Sequence, residues 1–423
     1  MKKILLFLFA SGLLYTSIPQ SLNGRFSSSI YTFERFDTAG TSNTQARTFQ
    51  ILSFNFGKDK VWLRSNLNLE ADIANKLKSD PRLRFYNLYV DLQNLWDVVT
   101  LKLGRQPLYN SVAGGVFDGA TVGLNHQGYK LQFYYGGNVP AYQKLEIIDN
   151  WSDNYLLGGE FTIYALTDWR FSAKYINKNF ASQSFTAQRL DPDLNPINVL
   201  IENKSNQYQF LSGEVSYHKQ KSYSVNARYD YDINFQTTSR GELSGRYEGI
   251  KNLGFNLYYN YREPKIRYNS IFSVFDYGNT WEIEAGADYL IDNKYTLLGK
   301  FANVAFKGET SQRVTLGISS PYGSITGRKN FGYAGEMDAI SLYTAFATLE
   351  GLFTPSFGFS YTRYKLVKDD PSNTLVSLLA GTNFRPFRTL SFDIQGQFIS
   401  NKIYKNDWRL FFKLNFWFNT IFN

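Results

Sequence analysis

The chain has 423 residues, of which 17% are aromatic, and it carries a formal net charge of +9 without a single cysteine. The absence of cysteine excludes thiol catalysis, thiolate zinc sites and disulfide scaffolds. Basic residues alternate with acidic ones and form no cluster, so the positive charge does not indicate nucleic-acid binding.

The N-terminal residues 1–22 read as a secretory signal peptide. Lys2 and Lys3 precede an apolar run over residues 4–15, and this run is too short to be a membrane-spanning helix. No later apolar run reaches the roughly 18 residues that such a helix needs, which excludes a helical membrane protein. We therefore expect residues 23–423 to form an exported, mature protein.

Alternation of apolar and polar residues follows and is clearest over residues 222–262. The apolar positions of its first run are Tyr223, Val225, Ala227, Tyr229, Tyr231 and Ile233, and the polar positions between them are Ser224, Asn226, Arg228, Asp230, Asp232 and Asn234. A period of two indicates β-strands, and roughly 9 to 11 tilted residues cross a bilayer. An aromatic-rich face typically contacts lipid while a charged face lines a lumen. The sequence therefore predicts an all-β, antiparallel, up-and-down transmembrane β-barrel.

Short turns alternate with longer connections along the chain, as they do in outer-membrane barrels. The longer connections are predicted at residues 38–44, 73–82, 107–116, 139–154, 181–205, 264–279, 331–339, 367–373 and 401–406. Two brief connections, near Gln236 and Gly308, belong to the same end. The count is about 22 strands, in a range of roughly 18 to 22, with both termini on the short-turn side. Because the first strand is expected at about Phe26, no N-terminal plug domain is predicted.

The last predicted strand alternates most regularly. The outward set is Trp408, Leu410, Phe412, Leu414, Phe416 and Phe418, and the inward set includes Arg409, Lys413 and Asn415. This aromatic-ended strand resembles the signal that barrel-assembly machinery recognises, with the terminal aromatic displaced by one residue. The resemblance implies assembly into the outer membrane of a Gram-negative bacterium, among outer-membrane lipids and lipopolysaccharide.

A bore of this width requires loops to narrow it. The longest connection, residues 181–205, contains two Pro residues and a short apolar run and is the first candidate. The alternative for this connection is an exposed loop. Residues 139–154 and 264–279 are further candidates for the constriction.

Two stretches resemble known families of outer-membrane channels. The sequence LKLGRQP at residues 101–107, followed after a Gly-containing loop by FDGATVGL at 117–124, resembles the alginate-export-like and porin families. Residues 314–332 resemble the general-porin pattern, in which a Gly-rich turn leads into a strand that bears Gly-Arg.

The resemblance implies that Arg105 and Arg328 lie near the narrow part of the channel and help anions or anionic sugars pass, with Asp118 a partner for Arg105. The alternative is that each arginine pairs with a neighbouring carboxylate or with headgroup phosphate. Strict alternation puts Arg105 on the face of Leu101 and Leu103, so a bulge would be needed to turn it inward.

Charged residues on the polar faces are expected to line the lumen, because Lys or Arg facing lipid at mid-depth costs roughly 2 to 4 kcal/mol. Besides Arg105, Asp118 and Arg328, the predicted pore-lining set is Arg64, Arg228, Asp230, Arg246, Arg262, Glu282 and Glu284. The two glutamates follow the strand with Arg262, an arrangement that could produce a transverse field. The alternative is that these charges form ion pairs that hold the strands in register.

An enzyme is not predicted. His126 and His218 are the two histidines of the chain, both expected at short turns, and neither has a strand-borne Ser or Asp at obvious range for hydrolysis. The sequence contains no Walker loop, zinc spacing or EF-hand loop, so no cofactor or metal is expected.

Three functions remain open. The first is a porin-like channel for passive diffusion of small hydrophilic solutes, with a mild preference for anions or sugars. The second is a dedicated export or uptake channel for an acidic polysaccharide, and the third is a structural or adhesive barrel whose lumen is blocked by loops. A homotrimer is expected by analogy with porins.

Overall fold

The computed structural model describes residues 20–38, 41–109, 112–140, 145–181, 185–190, 192, 195–201, 207–220, 222–266, 268, 278–332, 337–365, 369–402 and 406–422. It is a closed antiparallel barrel of 22 strands, which confirms the predicted fold class and the best strand count. The predicted signal peptide lies outside the described residues except for residues 20–22, which begin the first strand.

The strands follow one another along the chain. They are β1 (Gln20–Thr38), β2 (Thr41–Lys58), β3 (Val61–Asp72), β4 (Arg82–Leu95), β5 (Val99–Leu108), β6 (Gly115–His126), β7 (Tyr129–Val139), β8 (Tyr155–Ile163), β9 (Trp169–Lys178), β10 (Phe185–Leu190), β11 (Pro196–Ile201), β12 (Tyr208–Lys219), β13 (Tyr223–Asp232), β14 (Thr237–Ile250), β15 (Leu253–Arg262), β16 (Thr280–Ile291), β17 (Tyr295–Phe306), β18 (Glu309–Ser320), β19 (Gly323–Gly332), β20 (Met337–Ala345), β21 (Phe353–Tyr364), β22 (Asn373–Phe387), β23 (Leu390–Asn401) and β24 (Asp407–Phe422). Each barrel strand pairs with its neighbour in sequence, and β9 pairs with β12 past the separate hairpin β10–β11.

The two faces of the strands differ in chemistry, as the alternation predicts. On β13, Val225 and Tyr229 are exposed on the outer face, whereas Asp230 on the opposite face is buried among polar side chains. The same exposure of Leu, Ile, Phe and Tyr recurs around the whole outer wall. Because a closed sheet also pairs its backbone groups internally, such a wall suits hydrocarbon. The chain is therefore a membrane-spanning β-barrel.

Pairing of the first and last strands closes the barrel. Gln20 lies opposite Phe422, so both ends of the described chain are at the end with the short turns. Inside this seam, Ser27 donates a hydrogen bond to Asn415 Oδ1 at 2.7 Å. Outside it, Phe26 lies opposite Phe416. The predicted inward and outward sets of the last strand are confirmed.

The strand ends agree with the predicted bounds of the longer connections except at residues 38–44. Only two residues separate β1 from β2, and the register runs on to Thr38 opposite Thr41. Thr44 Oγ1 donates a hydrogen bond to Glu34 Oε1 at 2.7 Å. The predicted loop is wrong here because polar Thr, Ser and Asn side chains, which typify loops, also extend a hairpin beyond the membrane.

The segment predicted as the longest connection holds an additional hairpin. β10 pairs with β11 from Phe185 opposite Ile201 to Leu190 opposite Pro196, outside the barrel sheet. The described residues contain no apolar helix of membrane-spanning length.

Candidate functional site

Ion pairs between neighbouring strands line the lumen. Arg228 on β13 contacts Asp230 at 3.0 Å and Glu214 on β12 at 3.2 Å. Arg64 on β3 contacts Asp91 on β4 at 2.9 Å. These side chains lie on the face opposite to the exposed apolar residues, because directly paired residues of adjacent strands share a face. Paired charges thus line the inner wall at these strands.

Arg262 and Arg328, both in the predicted pore-lining set, have no carboxylate partner among the described residues. Arg262 on β15 donates a hydrogen bond to Asn260 Oδ1 at 3.0 Å. Arg328 on β19 lies opposite Thr315 and shares its inward face. Both guanidinium groups therefore retain donors that a solute can reach.

The acidic residues of β16 form ion pairs with the strands on either side. Arg313 on β18 bonds both Glu282 and Glu284, and Lys300 on β17 contacts Glu284 at 2.8 Å. On the other side, Arg246 of β14 contacts the next carboxylate, Asp288, at 2.7 Å. These pairs join strands from β14 to β18, in two cases across one intervening strand, and match the alternative interpretation, in which the charges hold the strands in register.

In the lumenal pairs that contain an aspartate, the cation is more exposed than its carboxylate. The Arg64 side chain is 32% exposed and that of Asp91 only 3%, and Arg228 is 23% exposed while Asp230 is inaccessible. Some pairs that contain a glutamate differ, since Glu214 is more exposed than Lys174, and Glu242 and Glu282 are about as exposed as the arginines that they contact. Guanidinium groups therefore cover the paired lumenal aspartates, and at these pairs the wetted surface is more positive than the residue count suggests.

The structure places Arg105 and Asp118 on the outer wall, which corrects their expected position in the pore. Arg105 on β5 lies opposite Asp118 on β6, and it shares its face with the exposed Leu103. The bulge that inward rotation would require is absent from the β5–β6 register, which is continuous from Val99 to Leu108. Strict alternation therefore decides the side on which this arginine lies.

The Arg105–Asp118 pair is sealed from lipid by an outer segment, residues 145–151. Arg105 Nε and Nη2 donate to the two carboxylate oxygens of Asp118 at 2.7 and 2.8 Å. Arg105 Nη2 also donates to the Glu146 carbonyl at 2.9 Å, and the Ile148 amide donates to Asp118 Oδ2 at 3.0 Å. The alternative of a pair with a neighbouring carboxylate is the one observed.

A glycine on β7 makes room for the outer segment. A Cβ at Gly137 would lie 2.6 Å from Ile148 and 2.9 Å from Trp151, which is closer than side chains approach one another. Trp151 in turn packs edge-on against the outward Tyr135, with ring centroids 5.3 Å apart. Residues 139–154 were a candidate for the constriction, but their described part from residue 145 onward lies against the outside of the wall.

A different connection enters the lumen. Val112, between β5 and β6, packs in a buried apolar cluster with inward residues of five consecutive barrel strands. These residues are Phe117, Tyr134, Leu156, Ile176 and Phe210. We call residues 112–114 the lumenal segment. It covers the inner wall from β6 to β12, a position that the sequence did not indicate.

Two lysines fix the lumenal segment from separate parts of the wall. Lys178 at the end of β9 donates to the Gly114 carbonyl, and Lys265 just after β15 donates to the Val112 carbonyl, both at 2.8 Å. Burial lowers the pKa of Lys265 below its usual value. The one sequence signal for this arrangement was the apolar Phe117, Leu156 and Phe210 at positions where alternation predicts polar residues.

The other candidate loops and the histidines are placed as follows. Part of residues 181–205 lies outside the described residues, and the side chains that are described there are exposed. Among the described residues of 264–279, Lys265 reaches the lumenal segment. His126 and His218 are exposed near the short-turn ends of β6 and β12, as expected.

No protein-family model matches the sequence, and no curated protein matches it. Among solved structures, the barrel is similar to Pseudomonas aeruginosa OpdK with vanillate, at 8% identity and a TM-score of 0.45, over 95% of this chain and 99% of that one. It is similar to the P pilus usher (PapC) translocation pore, at 10% identity and 0.46, over 94% and 99%. It is also similar to Acinetobacter baumannii OccAB1, at 8% identity and 0.44, over 94% and 96%. Likeness this remote carries no functional assignment for the chain.

Proposed function

We propose that this protein is a passive, porin-like channel of a Gram-negative outer membrane, which admits small hydrophilic solutes with a mild preference for anions. It is a non-enzymatic protein. Closed antiparallel barrels with an apolar outer band and a polar interior are the outer-membrane type. At this strand number the sheet encloses far more space than its own side chains fill, so an aqueous path is the natural use of the interior.

The observation that carries the proposal is the uneven exposure within the lumenal ion pairs. At the paired aspartates, such as Asp91 and Asp230, water and ions meet the guanidinium group first and the carboxylate is screened behind it. Arg262 and Arg328 add positive charge without a carboxylate partner among the described residues. A positive surface in a narrow aqueous path raises the local concentration of anions.

Restriction to small solutes follows from the lumenal segment. Its apolar contacts with β6 to β12 and its two lysine hydrogen bonds hold it inside the wall. It reduces the open cross-section on that side of the bore, so solutes pass along the charged remainder of the wall.

Planar-bilayer recording tests the proposal directly. The purified, folded barrel should give stable open-channel currents, and its reversal potential in a KCl gradient should show modest anion preference. The double variant Arg262→Gln/Arg328→Gln should shift the reversal potential toward cations. The outward-facing Arg363→Gln is the matched control and should leave it unchanged. Folded protein that never conducts would instead indicate the structural or adhesive barrel.

A second candidate, a dedicated channel for an acidic polysaccharide, is favoured by one specific observation. Arg47, Arg82 and Arg84 lie together around Glu70 and Asp72 at the long-loop end of β2 to β4. These arginines are partly exposed while the carboxylates are buried, which suits an acidic chain entering from that end. Liposome swelling with neutral and uronic-acid oligosaccharides of equal length separates the two functions, because a dedicated channel would favour the acidic series strongly.

A further inference from the structure

Three charged side chains form a row across the outer wall on β19, β20 and β21. Lys329 Nζ and Arg363 Nη2 both lie 2.7 Å from Asp338 Oδ2. The other carboxylate oxygen, Asp338 Oδ1, accepts the Asn330 amide at 2.9 Å. Sharing one oxygen brings the two cations close enough for a single small anion to contact both.

The register shows that this row faces outward. Asp338 lies directly opposite Arg363, and the next pair on the same face is Ile340 opposite Tyr361. Ile340 and Tyr361 are exposed apolar residues of the outer wall. On β19, Lys329 shares its face with the exposed Phe331. The row is therefore part of the lipid-facing surface and has no access to the lumen.

The row lies at the upper edge of the apolar band. On β21 the outward positions from Phe353 to Tyr361 are apolar, and Arg363 comes next. Ten residues at about 3.4 Å each, tilted by roughly 40°, rise about 26 Å. This height matches the roughly 25 Å of an outer-membrane apolar band, which puts Arg363 at the level of lipid headgroups on the long-loop side.

The charge of the row is not balanced. Lys329 and Arg363 are 50% and 49% exposed, while Asp338 is 14% exposed, so two accessible cations accompany one largely covered carboxylate. Arg105, on the same outer wall, differs because it is 6% exposed and bonded to both oxygens of Asp118. The row has donors left for an outside ligand, whereas the Arg105 pair is enclosed.

We propose that Lys329 and Arg363 bind a phosphate monoester of a lipid headgroup in the outer leaflet. The guanidinium suits bidentate phosphate contact, and the ammonium adds a second point charge. Asp338 orients both cations, and the exposed Phe331, Ile340 and Tyr361 offer a surface for the acyl chains below the headgroup. The ligand class is a phosphorylated glycolipid, and the chemistry that it shares with free phosphate is the phosphate group.

Native mass spectrometry of the full barrel in detergent tests this site. The probes are diphosphorylated lipid A, its dephosphorylated form, and inorganic phosphate. Wild-type protein should retain diphosphorylated lipid A in preference to the dephosphorylated form. Lys329→Gln/Arg363→Gln should weaken that binding about thirtyfold, because each surface cation contributes about 1 kcal/mol, or roughly fivefold. The single variants Arg363→Gln and Lys307→Gln each remove one positive charge at the same end of the barrel. Only Arg363→Gln should weaken lipid A binding, because Lys307 lies in a turn and not in the row.

Each outcome decides the proposal. Equal binding by wild type and the double variant overturns it, and so does equal loss with Lys307→Gln, which would indicate diffuse charge attraction. Displacement of the lipid by equimolar inorganic phosphate overturns the lipid as the ligand and indicates a free-phosphate site. Heat-modified gel mobility shows that each variant is folded. Unchanged conductance of the double variant is expected because the row faces lipid, so this test is independent of channel function.

Discussion

Arg105 and Asp118 form a doubly hydrogen-bonded ion pair, with contacts of 2.7 and 2.8 Å, on the outside of a membrane-spanning wall. Both side chains are buried, because residues 145–151 cover them and supply two further backbone hydrogen bonds. The pair thereby links β5 and β6 to the segment before β8. Its role in this position is structural.

The first prediction concerns this pair. Arg105→Leu should destabilise the barrel by about 3 to 5 kcal/mol, because it leaves the Asp118 carboxylate buried and unpaired. Arg105→Leu/Asp118→Leu should recover much of that loss, since no uncompensated charge remains. Denaturant unfolding in detergent measures both. Reversal potentials should match wild type for both variants, and a clear shift toward cations would return Arg105 to the conduction path.

The second prediction concerns the Arg64–Asp91 pair. Arg64→Gln should lower the ratio of anion to cation permeability, because it removes an exposed cation and uncovers a carboxylate. Asp91→Asn should change that ratio much less, since the Asp91 side chain is 3% exposed. Bilayer recordings in a KCl gradient compare the two. Equal and opposite changes of the permeability ratio in the two variants would show that burial of Asp91 does not screen its charge from the permeating ions.

The third prediction concerns the lumenal segment. Val112→Asp places a carboxylate in an apolar cluster, where an unpaired charge is strongly disfavoured, so the segment should leave the wall. Single-channel conductance and its noise should change, and larger neutral sugars should enter in liposome swelling. Val112→Ile keeps the apolar contact and serves as the control. If wild type, Val112→Asp and Val112→Ile admit sugars up to the same size, the lumenal segment is not the constriction.

The fourth prediction concerns the seam between the first and last strands. Asn415 accepts from Ser27 at 2.7 Å and donates to Asp393 Oδ2 at 3.0 Å. Asn415→Leu should cost about 1 to 3 kcal/mol, because it leaves buried polar partners unsatisfied. The temperature at which the folded barrel loses its compact gel mobility should fall. Asn419→Leu, an exposed position on the same face of β24, should leave that temperature nearly unchanged.

Alternation fixed much of the architecture in advance. The period of two over residues 222–262 and in the last strand predicted which side chains face lipid, because a charged side chain at mid-depth costs several kcal/mol and each strand has only two faces. The same constraint put Arg105 beside Leu103. The position in the pore that the family resemblance implied for this arginine was wrong, and the outer position that alternation predicted is the one observed.

Loop positions were less predictable. Composition indicated a loop at residues 38–44, yet Thr41 and its neighbours continue β2. The segment that enters the lumen is short and unremarkable in composition, and the longest connection contains the separate hairpin β10–β11. Hydrogen bonds such as Lys265 to the Val112 carbonyl join residues 153 positions apart, and no local pattern indicates such a partner.

The sequence by itself determined that this protein is a closed, lipid-facing barrel. Strands with a two-residue period, one apolar face and one charged face can form few other stable structures in a membrane. Only the tertiary structure decided which connection folds inward, which charge covers which carboxylate, and which cations remain on the outer wall. Those outcomes depend on contacts between side chains of distant strands. Strand register and closure of the barrel determine these contacts, and no single stretch of the sequence does.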